Sequence, residues 1–232
     1  MPTIHLYHEA IMETKDRTRF GVVIPAFECA LTIGATLDAV AAQVHAATAV
    51  IVVLDGPDPE LEEIVAGHWQ SPEVLVLPKN TGGPGEPRNA GMDRIRARHE
   101  LDAIWFLDAD DIPAPAFLKV MDDLLQRHAS AAMVVVNYIN WKDSDPLPEP
   151  LAFSSTLESV EFDLDWYLKQ TGAVLPSFSV IRTRSFDQLR KDGGGFHPTL
   201  TNNQDYELFV RVITDFECVR TPWVGGAYRV HE

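Results

Sequence analysis

An apolar run ends in three carboxylates in Trp105-Phe106-Leu107-Asp108-Ala109-Asp110-Asp111. Like charges packed this closely repel, so the stretch calls for a cation. Hard oxygen ligands on a loop suit Mg²⁺ or Mn²⁺, which keep coordination positions open for the phosphate oxygens of a substrate. An acidic turn also has a solvated reading, because acids are common in turns and at helix starts. Asp55 likewise ends an apolar run, in Asp55-Gly56-Pro57-Asp58-Pro59. Between these acids lies Asn80-Thr81-Gly82-Gly83-Pro84-Gly85-Glu86-Pro87-Arg88-Asn89-Ala90-Gly91, a glycine- and proline-rich loop that runs into a helix. Its glycines allow close backbone approach, and free N–H groups at the helix start, with Arg88, could face a diphosphate. The loop is neither G-x-G-x-x-G nor a Walker loop, so dehydrogenase and P-loop readings lose their main support. Asp205 opens a late helix, where an acid also reads as a cap or dipole partner.

The elements that must position these residues follow from hydrophobic spacing. Phe20 to Pro25 reads as a first buried strand, and Ala30 to Val44 as a helix with Leu31, Ile33, Leu37, Val40, Ala41 and Val44 apolar. Strands at 49–54 and 74–77 flank a helix at 59–67, and a third helix continues to Arg98. Such alternation predicts a parallel sheet with right-handed crossovers, whose ligands bind beyond the carboxyl ends of the strands. Three strand ends, at Pro25, Asp55 and Asp108, therefore point at one crevice. A helix at 116–127 and a strand at 133–139 follow, then a Pro-, Ser- and acid-rich loop at 140–160 suited to acceptor or partner contacts. The remainder reads as a short helix at 162–169, a strand at 177–182, a glycine turn at 193–198, a helix at 205–214 and a strand or loop at 223–230. Residues 1–19 read as a polar lead-in and 20–232 as one α/β domain, with a nucleotide-binding half (20–111) and an acceptor-side half (112–232).

The chain has 232 residues and a formal charge of −15, so no basic surplus is available to neutralise nucleic acid or anionic lipid. Cys29 and Cys218 lie far apart without a C-x-x-C, which indicates neither a zinc knuckle nor a disulfide framework and fits a reducing cytosol. The first twenty residues hold no apolar core of signal-peptide length, and no run reaches the ~20 apolar residues of a transmembrane span. A cytoplasmic setting is expected, and peripheral attachment at the inner face of a membrane is compatible with it.

In order, VVIPAFECALTIGATLDAVAAQ, VVLDG, NTGGPGEPRNAG, FLDADD and GGFHP followed by NNQDYELFVRV resemble the motifs of the family 2 glycosyltransferases, and the likeness runs from about Phe20 to His231. The resemblance implies a GT-A fold, a Rossmann-like and mostly parallel central sheet with helices on both faces and a small acceptor-side C-terminal part. It implies a donor site of Pro25, Phe27, Asp55, Gly83, Arg88, Asp108 and Asp110, with Phe27 and Asp55 against a uracil-like base. Asp108 would face the ribose or the metal shell. Asp110 would ligate the Mn²⁺ or Mg²⁺ that bridges the diphosphate, and His231 would join it near the phosphates, although a late histidine also reads as merely solvated. Asp205 would be the base of an inverting transfer from a nucleotide sugar, by default a UDP-sugar, to a saccharide or other hydroxyl acceptor. Two positions depart from the pattern: Leu54 replaces the first of the usual paired acids, and Gln204 stands where glutamate often precedes the aspartate. A nucleotidyltransferase would want a basic glycine-rich loop directly after the first strand, and IPAFECA has none. A non-catalytic member of the same fold is the other alternative, against which Asp110 and Asp205 both argue.

Overall fold

A computed structural model describes residues 17–145, 157–170, 172–191 and 195–231. Most of the expected lead-in (1–16), the middle of the 140–160 loop (146–156) and part of the glycine turn (192–194) lie outside the described residues.

The uncharged, β-branched runs form the centre of the sheet, as strands buried on both faces should. The order begins β1 (Phe20–Ala26), α1 (Ile33–Ala41), β2 (Ala49–Leu54), α2 (Pro59–Ala66), β3 (Glu73–Val76), α3 (Gly85–Arg96) and β4 (Ala103–Phe106). β1 pairs in parallel with β2 and with β4, so that Val22 lies between Val50 and Trp105. The chain continues through β5 (Ile112–Pro113), α4 (Phe117–Arg127), β6 (Met133–Trp141), β7 (Val160–Phe162) and α5 (Leu164–Lys169). It closes with β8 (Ser179–Arg182), α6 (Thr183–Lys191), α7 (Gln204–Asp215) and β9 (Cys218–Arg229). The strand order is β3-β2-β1-β4-β8-β6-β9-β5, with β7 beside β9. It is a mostly parallel mixed sheet, because β8, β5 and β7 run antiparallel to their neighbours.

Alternate residues of β1 send side chains to two apolar layers. Val22 and Ile24 join Leu37 of α1, Leu61 of α2 and Phe117 and Leu124 of α4, whereas Val23 joins Met92 of α3, Phe186 of α6 and Phe209 of α7. Helices thus cover both faces, as expected. The chain runs outward from β1 to β2 and β3 and then crosses back through α3 to β4 on the other side of β1, and this reversal opens a crevice at the carboxyl ends of β1 and β4.

Several elements differ from the sequence reading. α1 is shorter than 30–44: Leu31 is fully exposed and Val44 is 70% exposed, so their helical spacing carries no packing. Pro176–Phe178 is a 3₁₀ turn rather than the start of a strand, since Pro176 fixes φ and cannot donate to a ladder. β9 begins at Cys218, ahead of the expected Trp223. Pro222 hides it, and the ladder accommodates the proline by a register shift in which Val136 faces Thr221 while Asn137 faces Val224. Order also reaches into the lead-in, where the Thr18 N–H and hydroxyl donate to Asp122 Oδ1 at 3.1 and 2.6 Å.

α3 lies close against the sheet because Gly91 has no side chain: a Cβ there would stand 2.5 Å from Val23 Cγ1 and 2.7 Å from Val53 Cγ2. Gly91→Ala must push the helix off β1 and β2, and overpacking of this kind costs about 1–3 kcal/mol. The expected melting temperature is lower by roughly 2–10 °C for a domain of this size. An unchanged melting curve in calorimetry would show that the helix has room to shift.

Candidate active site

The crevice is a cleft of about 570 Å³, and its walls include every residue expected on the donor side: Pro25, Phe27, Asp55, Gly83, Arg88, Asp108 and Asp110. Asn80 and Tyr228 contribute as well, and Cys29 adds a thiol that burial pushes up to about 11.

Asp55 leaves the end of β2 with its N–H donating to Ala26 O at 2.9 Å, which ties it to the end of β1. Its buried carboxylate accepts at Oδ1 from both the N–H and the hydroxyl of Thr81, each at 2.9 Å. Phe27 stays 53% exposed at the mouth. Gly56 makes the turn possible at φ +107, where a Cβ would strike the backbone of Asn80 at 2.9 Å.

α3 begins at the cleft without a side-chain cap, leaving its first N–H groups to other partners. Arg88, in its first turn, is 3% exposed and donates through Nη2 to Asp108 Oδ1 at 2.5 Å. Its guanidinium stands 5.1 Å from the centre of the Phe196 ring, and Nε and Nη1 are buried without a hydrogen-bond partner among the described residues. The residue expected to face a diphosphate is therefore first of all the ion-pair partner of Asp108.

The three clustered acids have different surroundings. Asp108 takes the Arg88 ion pair, and its N–H donates to Ser177 Oγ at 3.1 Å. Asp110 lies with Oδ2 2.6 Å from Nε2 of His231, and its carbonyl accepts from Arg229 Nε at 2.9 Å. Asp111 is wholly buried: Oδ1 accepts the Arg229 N–H at 2.9 Å and Oδ2 has no partner in hydrogen-bonding geometry among the described residues. Burial, then the charge of Asp108, pushes its carboxyl up to about 8, against the pull of the Ser177 hydroxyl and the Arg229 N–H. Among the described residues no three His, Cys, Asp or Glu converge on one point. Asp110 and His231 together still suit a hard divalent cation that takes its other ligands from phosphate and water.

Asp205 does not line this cleft. It stands half-exposed in the first turn of α7, its Oδ1 accepting the Tyr206 N–H at 2.8 Å. Two glycines nevertheless bring its helix to the cleft wall. A Cβ on Gly83 would stand 3.0 Å from Thr201 O, and one on Gly85 would stand 3.4 Å from Cγ of the buried Gln204. Asn89 pins the same segment from α3: its Nδ2 donates to Phe196 O at 2.8 Å and its Oδ1 accepts the Phe196 N–H at 2.9 Å.

Thr81, Asn89, Ser177 and Arg229 carry much of this wiring, and sequence reasoning assigned none of them. Thr81 and Asn89 sit inside the NTGGPGEPRNAG motif and Arg229 lies two residues before His231, so their neighbourhood was visible. Ser177 gave no signal, because it meets Asp108 across 69 residues of chain.

Comparison with known proteins bears on the family and the fold. A sequence profile described as Glycosyl transferase family 2 matches residues 21–190. The chain belongs to glycosyl transferase family 2. Glycosyltransferase GlyG of Streptococcus pneumoniae is 23% identical over 206 residues, covering 83% of this chain and 66% of that protein. Crystal structures of residues 1–349 of S. aureus TarS share the fold. The complex with UDP superposes with a TM-score of 0.70 at 20% identity, covering 91% of this chain and 60% of that one. The complex with UDP-GlcNAc also gives 0.70, at 21% identity, covering 92% and 59%. This family 2 chain thus has the GT-A fold of TarS and spans about three fifths to two thirds of these relatives.

Asp111 gives the family 2 site a pH signature. A carboxyl raised to about 8 in the folded chain from its ordinary 3.8 retains a proton that the unfolded chain has released. Its contribution to stability is complete below pH 4 and is lost as pH rises through 8. In EDTA, urea unfolding of the wild type should lose at most about 1.4 kcal/mol per pH unit across that window from this group, and Asp111→Asn should remove that slope. Identical slopes for the two proteins would show that Asp111 is charged when folded.

Proposed function

We propose that the chain transfers a sugar, with inversion, from a nucleoside diphosphate donor, a UDP-sugar foremost, to a hydroxyl acceptor with the help of Mn²⁺ or Mg²⁺. One observation carries the metal requirement: the cleft sets Asp55, Asp108 and Asp110 against a single guanidinium, Arg88, which Asp108 already engages. A diphosphate entering alone would meet net negative charge. Asp110 and His231, with Asp108 beside them, are the residues that would hold a cation. When bound, it neutralises the charge that develops on the departing diphosphate.

The chain's own groups account for the rest. Thr81 fixes the direction of the Asp55 carboxylate, so that a base with a ring N–H, such as uracil, meets a defined acceptor. The exposed Phe27 ring offers a surface for the base. The backbone at Gly83 and the uncapped start of α3 face the phosphates with N–H groups. Complexes of TarS with UDP and with UDP-GlcNAc support a uridine donor. On the acceptor side, the Asp205 carboxylate takes the proton of the attacking hydroxyl. The acceptor oxygen bonds to the anomeric carbon while the bond from that carbon to the diphosphate oxygen breaks, its electron pair leaving with the diphosphate. Attack opposite the leaving group inverts the configuration. In this reading residues 20–111 bind the nucleotide and residues 112–232 serve the acceptor. Free thiols at both Cys29 and Cys218 favour a cytoplasmic setting, and no helix among the described residues is long and apolar enough to cross a membrane.

Two variants separate the halves. With Asp110→Asn, the Mn²⁺-dependent part of UDP affinity should disappear in titration calorimetry; the same gain in affinity from Mn²⁺ as in the wild type would remove Asp110 from the metal site. Asp205→Asn should retain UDP binding within about twofold and lose on the order of 10²- to 10⁴-fold in transfer, the span of general-base contributions. Parallel loss of UDP affinity and transfer in a folded variant would count against Asp205 as the base.

A further inference from the structure

Next to Asp205 stands an aromatic ring that the donor cleft does not use. Tyr206 is 46% exposed, although its ring stacks on that of Tyr167 with centroids 5.3 Å apart and planes at 29°. Tyr167, on α5, is only 4% exposed, so the lower ring is held by the protein while the upper ring keeps an open side. Burial, then the charge of Asp205, pushes the Tyr167 phenol up, which puts the carboxylate within electrostatic reach of the stack. The Tyr206 N–H donates to Asp205 Oδ1 at 2.8 Å, which holds the carboxylate against the backbone of the residue that bears the ring.

The arrangement offers two chemistries side by side, an electron-rich aromatic face and a hydrogen-bond acceptor. A pyranose ring uses both. Its flat C–H face carries slight positive charge and packs on the negative face of an aromatic ring, while the hydroxyls at its edge reach the carboxylate. An acyclic polyol has hydroxyls but no flat C–H face, and a simple alcohol has neither the area nor the second contact. We propose that Tyr206, seated on Tyr167, is the acceptor subsite, and that it takes a saccharide ring whose hydroxyl faces Asp205. The proposal rests on the reading of Asp205 as the base.

The test is saturation-transfer NMR on the full chain with UDP and Mg²⁺. Its probes are methyl β-glucopyranoside, methyl β-galactopyranoside and the methyl glycoside of N-acetylglucosamine, with ribitol and glycerol as acyclic controls. The wild type should saturate the ring protons of at least one glycoside and neither polyol. The signal should fall at least about fivefold in Tyr206→Ala, the loss expected of one stacking contact, and persist in Tyr206→Phe. Tyr206→Leu, which keeps apolar bulk, should behave like the alanine variant. Absence of glycoside transfer in the wild type, equal transfer to ribitol, or a signal unchanged in Tyr206→Ala would overturn the subsite. Calorimetry with UDP on the same samples separates the two readings. A wild type that does not bind UDP defeats the proposed function, whereas normal UDP binding with a response indifferent to Tyr206 defeats the platform alone. Loss of UDP affinity in both Tyr206→Ala and Tyr206→Leu would move the ring to the donor side and also overturn it.

Discussion

Negative charge crowded at the carboxyl ends of β2 and β4 is the constraint around which the rest of the molecule is arranged. Asp108, Asp110 and Asp111 are near neighbours in sequence, and three ionised carboxylates in so small a volume would oppose folding as well as anion binding. The structure gives each a separate solution. Asp108 is met by the buried guanidinium of Arg88. Asp111 is removed from solvent, and burial pushes its carboxyl up to about 8. Only Asp110 remains beside an exposed, titratable partner, His231. A loop with three acids thus leaves one of them, Asp110, paired with an exposed histidine, while Asp108 and Asp111 are tied into the protein.

That division depends on parts of the fold remote in sequence. β9 crosses back to the acidic loop, where Ala114 N–H donates to Gly225 O at 2.7 Å, and Arg229 at the strand's end reaches both Asp110 O and Asp111 Oδ1. The Arg229 guanidinium also pairs with Asp143 and lies 4.6 Å from the centre of the Trp141 ring. One arginine therefore joins the acidic loop to the end of β6, from which the long loop departs. On the opposite wall, glycines at 83 and 85 let the segment before α7 press against the start of α3. The cleft is closed on one side by a strand and on the other by a helix terminus, and both closures come from the second half of the chain.

How much of this was legible follows from the range of the interactions. The β-α-β half could be read because its strands are continuous apolar runs and its helices, α1's ends aside, keep their period where they pack. The second half resisted reading because β5 has two residues, β9 carries a proline at a bulge, and α6 gave no signal that was recognised. The candidate acids were legible by type and by their place at strand ends. Their different roles were not, since nothing in Asp110-Asp111 says which carboxylate points inward. What decides it is a backbone N–H 118 residues away in sequence, offered by Arg229. Arg88 shows the same limit: its loop announced an anion site, but its pairing with Asp108 depends on how α3 lies against the sheet.

The two halves of the site are also built on different kinds of support, and this has a consequence for specificity. Phe27, Asp55, Asp108 and Asp110 follow the ends of adjacent parallel strands, whose positions are fixed by the ladder and by helices packed on both faces. Asp205 and Tyr206 stand on the first turn of a helix, held to the cleft by close contacts between loops and to α5 by a stacked pair of rings. A change in the strands would disturb all of these residues at once, so that side can vary little without loss of the fold. Loop and ring contacts can be exchanged one at a time at a cost of about a kcal/mol each. Sequence variation that leaves the fold intact is therefore expected to collect around the start of α7 and α5, where packing tolerates it, rather than along β1, β2 and β4, where it does not.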